Sequence, residues 1–200
     1  MMTFFHAPGS CSNGILMLLD EVGASYQTRI VDLRARQQLQ PDYLAVNAKG
    51  KVPALLVPRD GLLTEFPAIA YWIATSFPDA GLWPDSTIDR THTLEALDFI
   101  VGSVHMRGFT FVRVPQKFLD DPAGQDALRA YGRREVSKGL AILSELLGDK
   151  DYLLGAFGIA DAALSYVLDW AADDGFDLPD NLARCRERLR GRGSVIRTGA

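Results

Sequence analysis

Cys11, following the loop Ala7-Pro8-Gly9-Ser10, is the first residue in this sequence placed to do chemistry. It stands where a helix would begin, and the positive end of a helix dipole favours thiolate over thiol. The hydroxyls of Ser10 and Ser12 flank it as candidate donors to a sulfur. Most lone cysteines are buried and inert, so the position after a strand is what singles this one out. Val52-Pro53 by itself reads as a proline at a strand start. An isolated Val-Pro bond is usually trans. Glu65 and Phe66 precede or open another helix, where a free backbone N–H and the dipole suit a carboxylate ligand. His105 falls on a long helical stripe, where an imidazole can stabilise a thiolate or relay a proton. Asp98 lies two turns earlier on that stripe, and Arg36 and Lys51 are loop cations. Each of these charges reads equally well as a solvated surface group.

The elements that must position these residues follow from periodicity and turn chemistry. Thr3 to His6 is β-prone and stops at the Pro-Gly loop. Ser12 or Asn13 caps a helix reaching about Val22, with Ile15, Leu18, Leu19 and Val22 on one face and Gly23 as its stop. Tyr26 to Val31 reads as a strand, followed by a polar stretch from Asp32 to Pro41. Val52 to Val57 and Leu62 to Thr64 flank Pro58-Arg59-Asp60-Gly61, a hairpin signal. Pro67 suits a helix start, with Ile69, Trp72 and Ile73 inward. From Pro78 to Thr87 the sequence is rich in Pro, Gly and Asp, a linker composition. Beyond it the periodicity is helical throughout. Leu94, Leu97, Val101 and Val104 form one stripe; Leu128, Val136, Leu140, Leu143 and Leu147 form a second. Ile159 to Ala172 and an Arg-rich segment from Leu182 to Leu189 follow, the arginines reading as a solvated face.

Bulk properties exclude several classes. The 200 residues suit one medium or two small domains, and 48% hydrophobic with 23% charged residues is ordinary for a globular protein. A net charge of -4 lacks the basic field that nucleic-acid or acidic-membrane binding needs. The N-terminus has no signal-peptide pattern, and the apolar run from Gly158 to Ala172 is too short and too acidic to span a membrane. Two distant cysteines, Cys11 and Cys185, make neither a disulfide framework nor a metal pattern, and a reducing cytoplasm suits them.

Five segments, taken together and in order, resemble the glutathione S-transferase superfamily, and its bacterial cysteine-type (beta) class in particular. They are Ala7 to Ser12, Asp42 to Leu55, Leu62 to Glu65, Val104 to Phe109, and Gly158 to Ala162 with Val167 to Ala171. The resemblance implies an α/β thioredoxin-like domain over 1–79, a linker over 80–87 and an all-helical domain over 88–200. It implies a cis Val52-Pro53 bond, with Val52 N–H and C=O pairing with the cysteinyl part of glutathione. Glu65 and the N–H of Phe66 would hold the γ-glutamyl end. Phe66 replaces the hydroxyl-bearing or small residue of the family, leaving backbone donation alone. Arg36 or Lys51 would meet the glycyl carboxylate, and Asp98 the glutathione amine of a neighbouring subunit. Cys11 would contact the glutathione sulfur, with His105 approaching it. Gly158 stands where the family has Ser or Thr in a capping box, leaving Asp161 as the surviving half. Trp170 would pack in the core by default, or line the cleft beside the electrophile. The implied activity is a detoxifying one: conjugation of glutathione thiolate to small hydrophobic electrophiles by a cytoplasmic homodimer, with no metal. Thiol-disulfide exchange through Cys11, and a non-catalytic interaction module of the same fold, are the alternatives.

Overall fold

The computed structural model describes residues 1–197, with side chains described through residue 192. The chain divides into two compact units, Met1–Trp83 and Pro84–Arg192, and the break falls inside the expected linker. The expected end of the helical domain, residue 200, lies outside the described residues.

The first unit is built on a four-stranded sheet in the order β2-β1-β3-β4. β1 (Met2–His6) is parallel to β2 (Tyr26–Ile30); β3 (Ala54–Val57) and β4 (Gly61–Thr64) are antiparallel to their neighbours. β1 is buried along its whole length because both faces of the sheet are covered. Phe4 faces the side where α1 (Ser12–Glu21) and α3 (Phe66–Ser76) bury Ile15, Leu18, Leu19, Ile69 and Ile73. Phe5 faces the other side, packing edge-to-face on Tyr43 of the short α2 (Pro41–Leu44), with Val31 and Ala54. This is the thioredoxin-like arrangement expected.

Three local expectations are corrected here. The cap of α1 is Cys11, not Ser12 or Asn13; the Ser12 side chain is drawn inward instead. β2 ends one residue earlier than read. Trp72 is not a core residue: its indole N–H donates to Asp60 at 3.0 Å on the surface, and Ala70 takes the inward position.

The second unit is helical. α4 (Thr87–Asp98) runs without a break into a π-helical segment (Phe99–Phe109) and a final turn, α5 (Thr110–Arg113). α6 (Pro122–Leu147), α7 (Ile159–Asp173) and α8 (Asp180–Arg197) complete it. Of the stripe read as inward, Leu97 and Val104 are buried, but Leu94 is 48% exposed and Val101 only half-buried; Thr93 and Ile100 take the inward positions beside them. α6 approaches the π segment closely because glycines line the contact. A Cβ on Gly139 would stand 2.7 Å from Val104 Cγ2, and one on Gly132 2.8 Å from the Gly108 carbonyl.

α7 is almost wholly buried, as its apolar run requires. With no side chain at Gly158, its N-terminus is organised by Asp161, whose carboxylate accepts from Gly158 N–H at 3.0 Å and Leu153 N–H at 2.9 Å. Burial pushes this carboxyl up to about 6, against the backbone donors that favour its charge. The arginine stretch is a further correction. Arg186 pairs with Asp169 at 2.9 Å, Arg188 with Asp151 at 2.7 Å, and Arg192 lies 4.2 Å over Phe157, so α8 is tied down by the face read as solvated.

Candidate functional site

The path of the backbone into Val52 is set by two side chains. Tyr43 donates its hydroxyl to the Lys51 carbonyl at 2.6 Å, and Asn47 Nδ2 donates to the same oxygen at 2.8 Å. Burial holds the Tyr43 phenol above its ordinary range, keeping it a donor. Asn47 Oδ1 also accepts from Lys49 N–H, closing the turn. The chain then passes Val52 and a cis bond to Pro53 before entering β3.

Cys11 meets this bend. Its Sγ lies 3.7 Å from the Val52 carbonyl oxygen and donates to it. Burial pushes the thiol up to about 12, outweighing the backbone N–H groups of the helix start. The Glu65 carboxylate raises it further, and the Lys51 ammonium opposes. The thiolate expected from the helix dipole is therefore corrected for the ligand-free chain: the dipole acts in the right direction and desolvation exceeds it. In the ligand-free chain this thiol donates to the Val52 carbonyl, and only part of the residue reaches solvent.

Ser12 is corrected as a sulfur partner. Its hydroxyl is fully buried, within 2.7 Å of His6 Nδ1 and of Ser10 Oγ, and it also exchanges bonds with the backbone of Ala7. It fastens the loop to β1, and His6 shares that structural task. Ser10 is half-buried, its oxygen accepting from Ser12 N–H.

Glu65 caps α3 in the left-handed region, φ 70°, an uncommon conformation for a residue with a side chain. Its carboxylate is exposed and pairs with Lys49 at 2.8 Å, and Lys49 also donates to Thr64 Oγ1. Sequence spacing offers Lys51 and not Lys49 as the loop cation; both lie in Lys49-Gly50-Lys51, and Lys49 is the one that pairs with Glu65. The Phe66 ring is buried, 4% exposed, while Glu65 beside it stays at the surface. Lys51 is exposed. Arg36 is exposed too, at the left-handed start of a single turn over Gln37–Leu39.

Thus Cys11, Lys51, Val52, Pro53 and Glu65 are brought together, and Ser10 and Ser12 join them through the loop. Arg36 has no such link to the set. A cavity of about 380 Å³, lined by Phe5, Arg29, Val31, Gln37 and Tyr43 among others, includes none of the predicted site residues.

His105 and Asp98 belong to the second unit. Asp98 ends α4 and is exposed. His105 is half-buried in an aromatic cluster: Trp170 stands edge-on at 4.9 Å, and Tyr166 Oη lies 3.2 Å from Nδ1. Arg113 covers Trp170 at 4.8 Å while pairing with Asp174 at 2.7 Å. Trp170 is 8% exposed, in keeping with a packing role. Sequence spacing did not link Tyr166 to His105.

Among the described residues no group of three or more His, Cys, Asp or Glu side chains is gathered as a metal site would need, and no helix is long and apolar enough to cross a membrane.

Comparison with known proteins bears on this arrangement. The family described as glutathione S-transferase, N-terminal domain, matches residues 9–76. Glutathione S-transferase GstA of Escherichia coli O157:H7 is 39% identical over 173 residues, 85% of this chain and 82% of its own. A solved glutathione transferase homologue from Sulfitobacter with bound glutathione superposes with a TM-score of 0.90 at 26% identity, covering 100% of this chain and 98% of the other. A beta class enzyme from Sphingomonas chungbukensis superposes at 0.84 with 32% identity, covering 98% of each. With the fold, the Val52-Pro53 bend and this degree of identity in agreement, the chain belongs to the glutathione S-transferase family.

Proposed function

We propose that this glutathione S-transferase conjugates glutathione, through its thiolate, to small hydrophobic electrophiles. The observation that carries the reading is the seating of the Cys11 thiol against the Val52 carbonyl at 3.7 Å, which puts a sulfur donor beside the backbone that an extended tripeptide would use as a strand partner. The glutathione-bound Sulfitobacter relative supports the choice of thiol.

On this reading Val52 N–H and C=O pair with the cysteinyl residue. Glu65, which in the free chain is neutralised by Lys49, takes the γ-glutamyl amine, and the Phe66 N–H takes the carboxylate. Lys51 or Arg36 meets the glycyl carboxylate. Asp98 serves a second subunit in a homodimer, and the enzyme works in the cytoplasm. Cys11 acts as a neutral S–H donor to the glutathione sulfur, with Ser10 nearby and His105 as a second donor; Ser12 holds the loop. In the reaction the glutathione thiol loses its proton to solvent, its sulfur forms the new S–C bond, and the electron pair of the broken bond leaves with the halide or moves into the activated alkene. Holding the thiol oriented and partly desolvated supplies the acceleration.

The test is calorimetric titration with glutathione followed by spectrophotometric conjugation of 1-chloro-2,4-dinitrobenzene. Saturable binding and glutathione-dependent product are expected. A chain that binds no glutathione while retaining its helical circular dichroism would overturn the assignment.

A further inference from the structure

The γ-glutamyl end of glutathione is a zwitterion, with an ammonium and a carboxylate on one carbon. On the reading above Glu65 takes the ammonium. Phe66, its ring buried at 4% exposure, brings neither a hydroxyl nor a charge to the carboxylate. Beside the two stands a cation. Lys49 Nζ donates to Glu65 Oε1 and to Thr64 Oγ1, each at 2.8 Å. An ammonium has three protons to give, so these two bonds do not exhaust it. Both charged side chains are open to solvent, Lys49 at 52% and Glu65 at 56%. Their backbones, in contrast, are fixed. Lys49 sits in a turn closed by the buried Asn47, whose Oδ1 accepts from Lys49 N–H at 3.1 Å and whose carbonyl accepts from Gly50 N–H at 2.9 Å. Glu65 is held at φ 70°, a costly conformation for a residue with a Cβ and one that clusters at functional sites. The pair thus joins the turn leading into Val52 to the start of α3.

An exposed ion pair of this kind adds little to stability. What it supplies is a cation and an anion side by side, the charge pattern of an amino-acid head group in reverse. The flexible lysine stem lets Nζ turn from Glu65 to a bound carboxylate as the ligand's ammonium takes its place, so each charge keeps a partner. We propose that Lys49 is a further substrate-binding residue: its ammonium pairs with the α-carboxylate of the γ-glutamyl residue while Glu65 pairs with the α-ammonium, and together they select the zwitterionic head. The proposal rests on the reading of the chain as a glutathione-binding transferase and deepens it. The contrary behaviour is that of a latch, in which Lys49 only competes with the ligand's ammonium for Glu65. The two differ in sign: removing the Lys49 charge weakens binding in the first case and tightens it in the second.

The test is calorimetric titration of the full-length protein and of Lys49→Met, which keeps an apolar stem and removes the charge. The probes are glutathione and 4-aminobutanoyl-cysteinylglycine, the same peptide without its α-carboxylate. Lys49→Met is expected to weaken glutathione binding about 10-fold, the scale of one charge-assisted hydrogen bond at an accessible site. It is expected not to weaken binding of the 4-aminobutanoyl peptide, which has no carboxylate there to lose. Lys49→Arg, which restores a cation, is expected to recover glutathione affinity to within about 3-fold of wild type. Circular dichroism checks that both variants are folded, as substitutions at an exposed side chain should be. Glutathione bound by Lys49→Met as tightly as by wild type, or more tightly, would overturn the proposal. So would an equal loss with both peptides, which is the mark of a structural effect or of a general field. If wild type itself binds no glutathione, the reading of the site fails and the proposal with it; if wild type binds and Lys49→Met binds equally well, the proposal alone fails.

Discussion

The Cys11 thiol donates to the backbone carbonyl of Val52 across 3.7 Å, joining the start of α1 to the bend before β3. Residues 41 positions apart are thereby placed at one point, and a carbonyl suited to a ligand's N–H is occupied in the free chain by the protein's own thiol.

With the Cys11 thiol pushed up to about 12 by burial, alkylation of the free protein by iodoacetamide is expected to be slow at pH 7 and to keep accelerating past pH 10, monitored by mass spectrometry. Cys11→Ala is expected to keep glutathione binding and to lose conjugation rate by only about 3- to 10-fold, the scale of one modest hydrogen bond. Abolished turnover would mean that Cys11 acts as a nucleophile after all.

Glu65 carries a charge that the γ-glutamyl amine would share, and its present partner, Lys49, is exposed. Glu65→Gln should weaken glutathione binding by about 10- to 100-fold, as for a lost charge-assisted bond. Lys49→Ala should change unfolding free energy by less than about 1 kcal/mol, since exposed pairs contribute little. Calorimetry and urea titration separate the two effects.

Asp161 supplies a pH dependence. Its carboxyl is raised to about 6 in the folded chain from an ordinary 3.8, so the folded state holds the proton more tightly than the unfolded state. The stabilisation from this group is therefore full below about pH 4 and is lost as pH rises through about 6, a swing of about 3 kcal/mol. Urea unfolding of wild type and Asp161→Asn at pH 4, 5 and 7 should show the stability gap between them narrowing as pH rises.

The glycine contacts between α6 and the π segment leave no room for a methyl group. Gly139→Ala and Gly132→Ala are each expected to cost about 1–3 kcal/mol, with Gly132 the worse because its new Cβ meets a backbone carbonyl at 2.8 Å rather than a side chain. Thermal melts check the order. Paired substitution of Gly139→Ala with Val104→Ala should recover part of the loss.

Strand and helix order, the break within residues 80–87 and the grouping of Cys11, Val52 and Glu65 were legible in the sequence because they depend on local signals: turn residues, apolar period and a family-specific order of motifs. Helix boundaries and inward faces were less so. Trp72 and Leu94 fit a 3.6-residue stripe, but Trp72 bonds to Asp60 at the surface, and Thr93 and Ile100 take the inward positions beside Leu97 in place of Leu94.

By itself the sequence determined that a thiol would stand at a helix start after the first strand and that a Val-Pro pair would open a later strand, because chain connectivity and turn chemistry act over a few residues; the meeting of the two, 41 positions apart, is a tertiary outcome. Tertiary structure alone decided its protonation, the inward turn of Ser12, the pairing of Lys49 with Glu65 and the contact of Tyr166 with His105. Those outcomes depend on desolvation and on distances between residues remote in the chain, and both arise only when the elements pack.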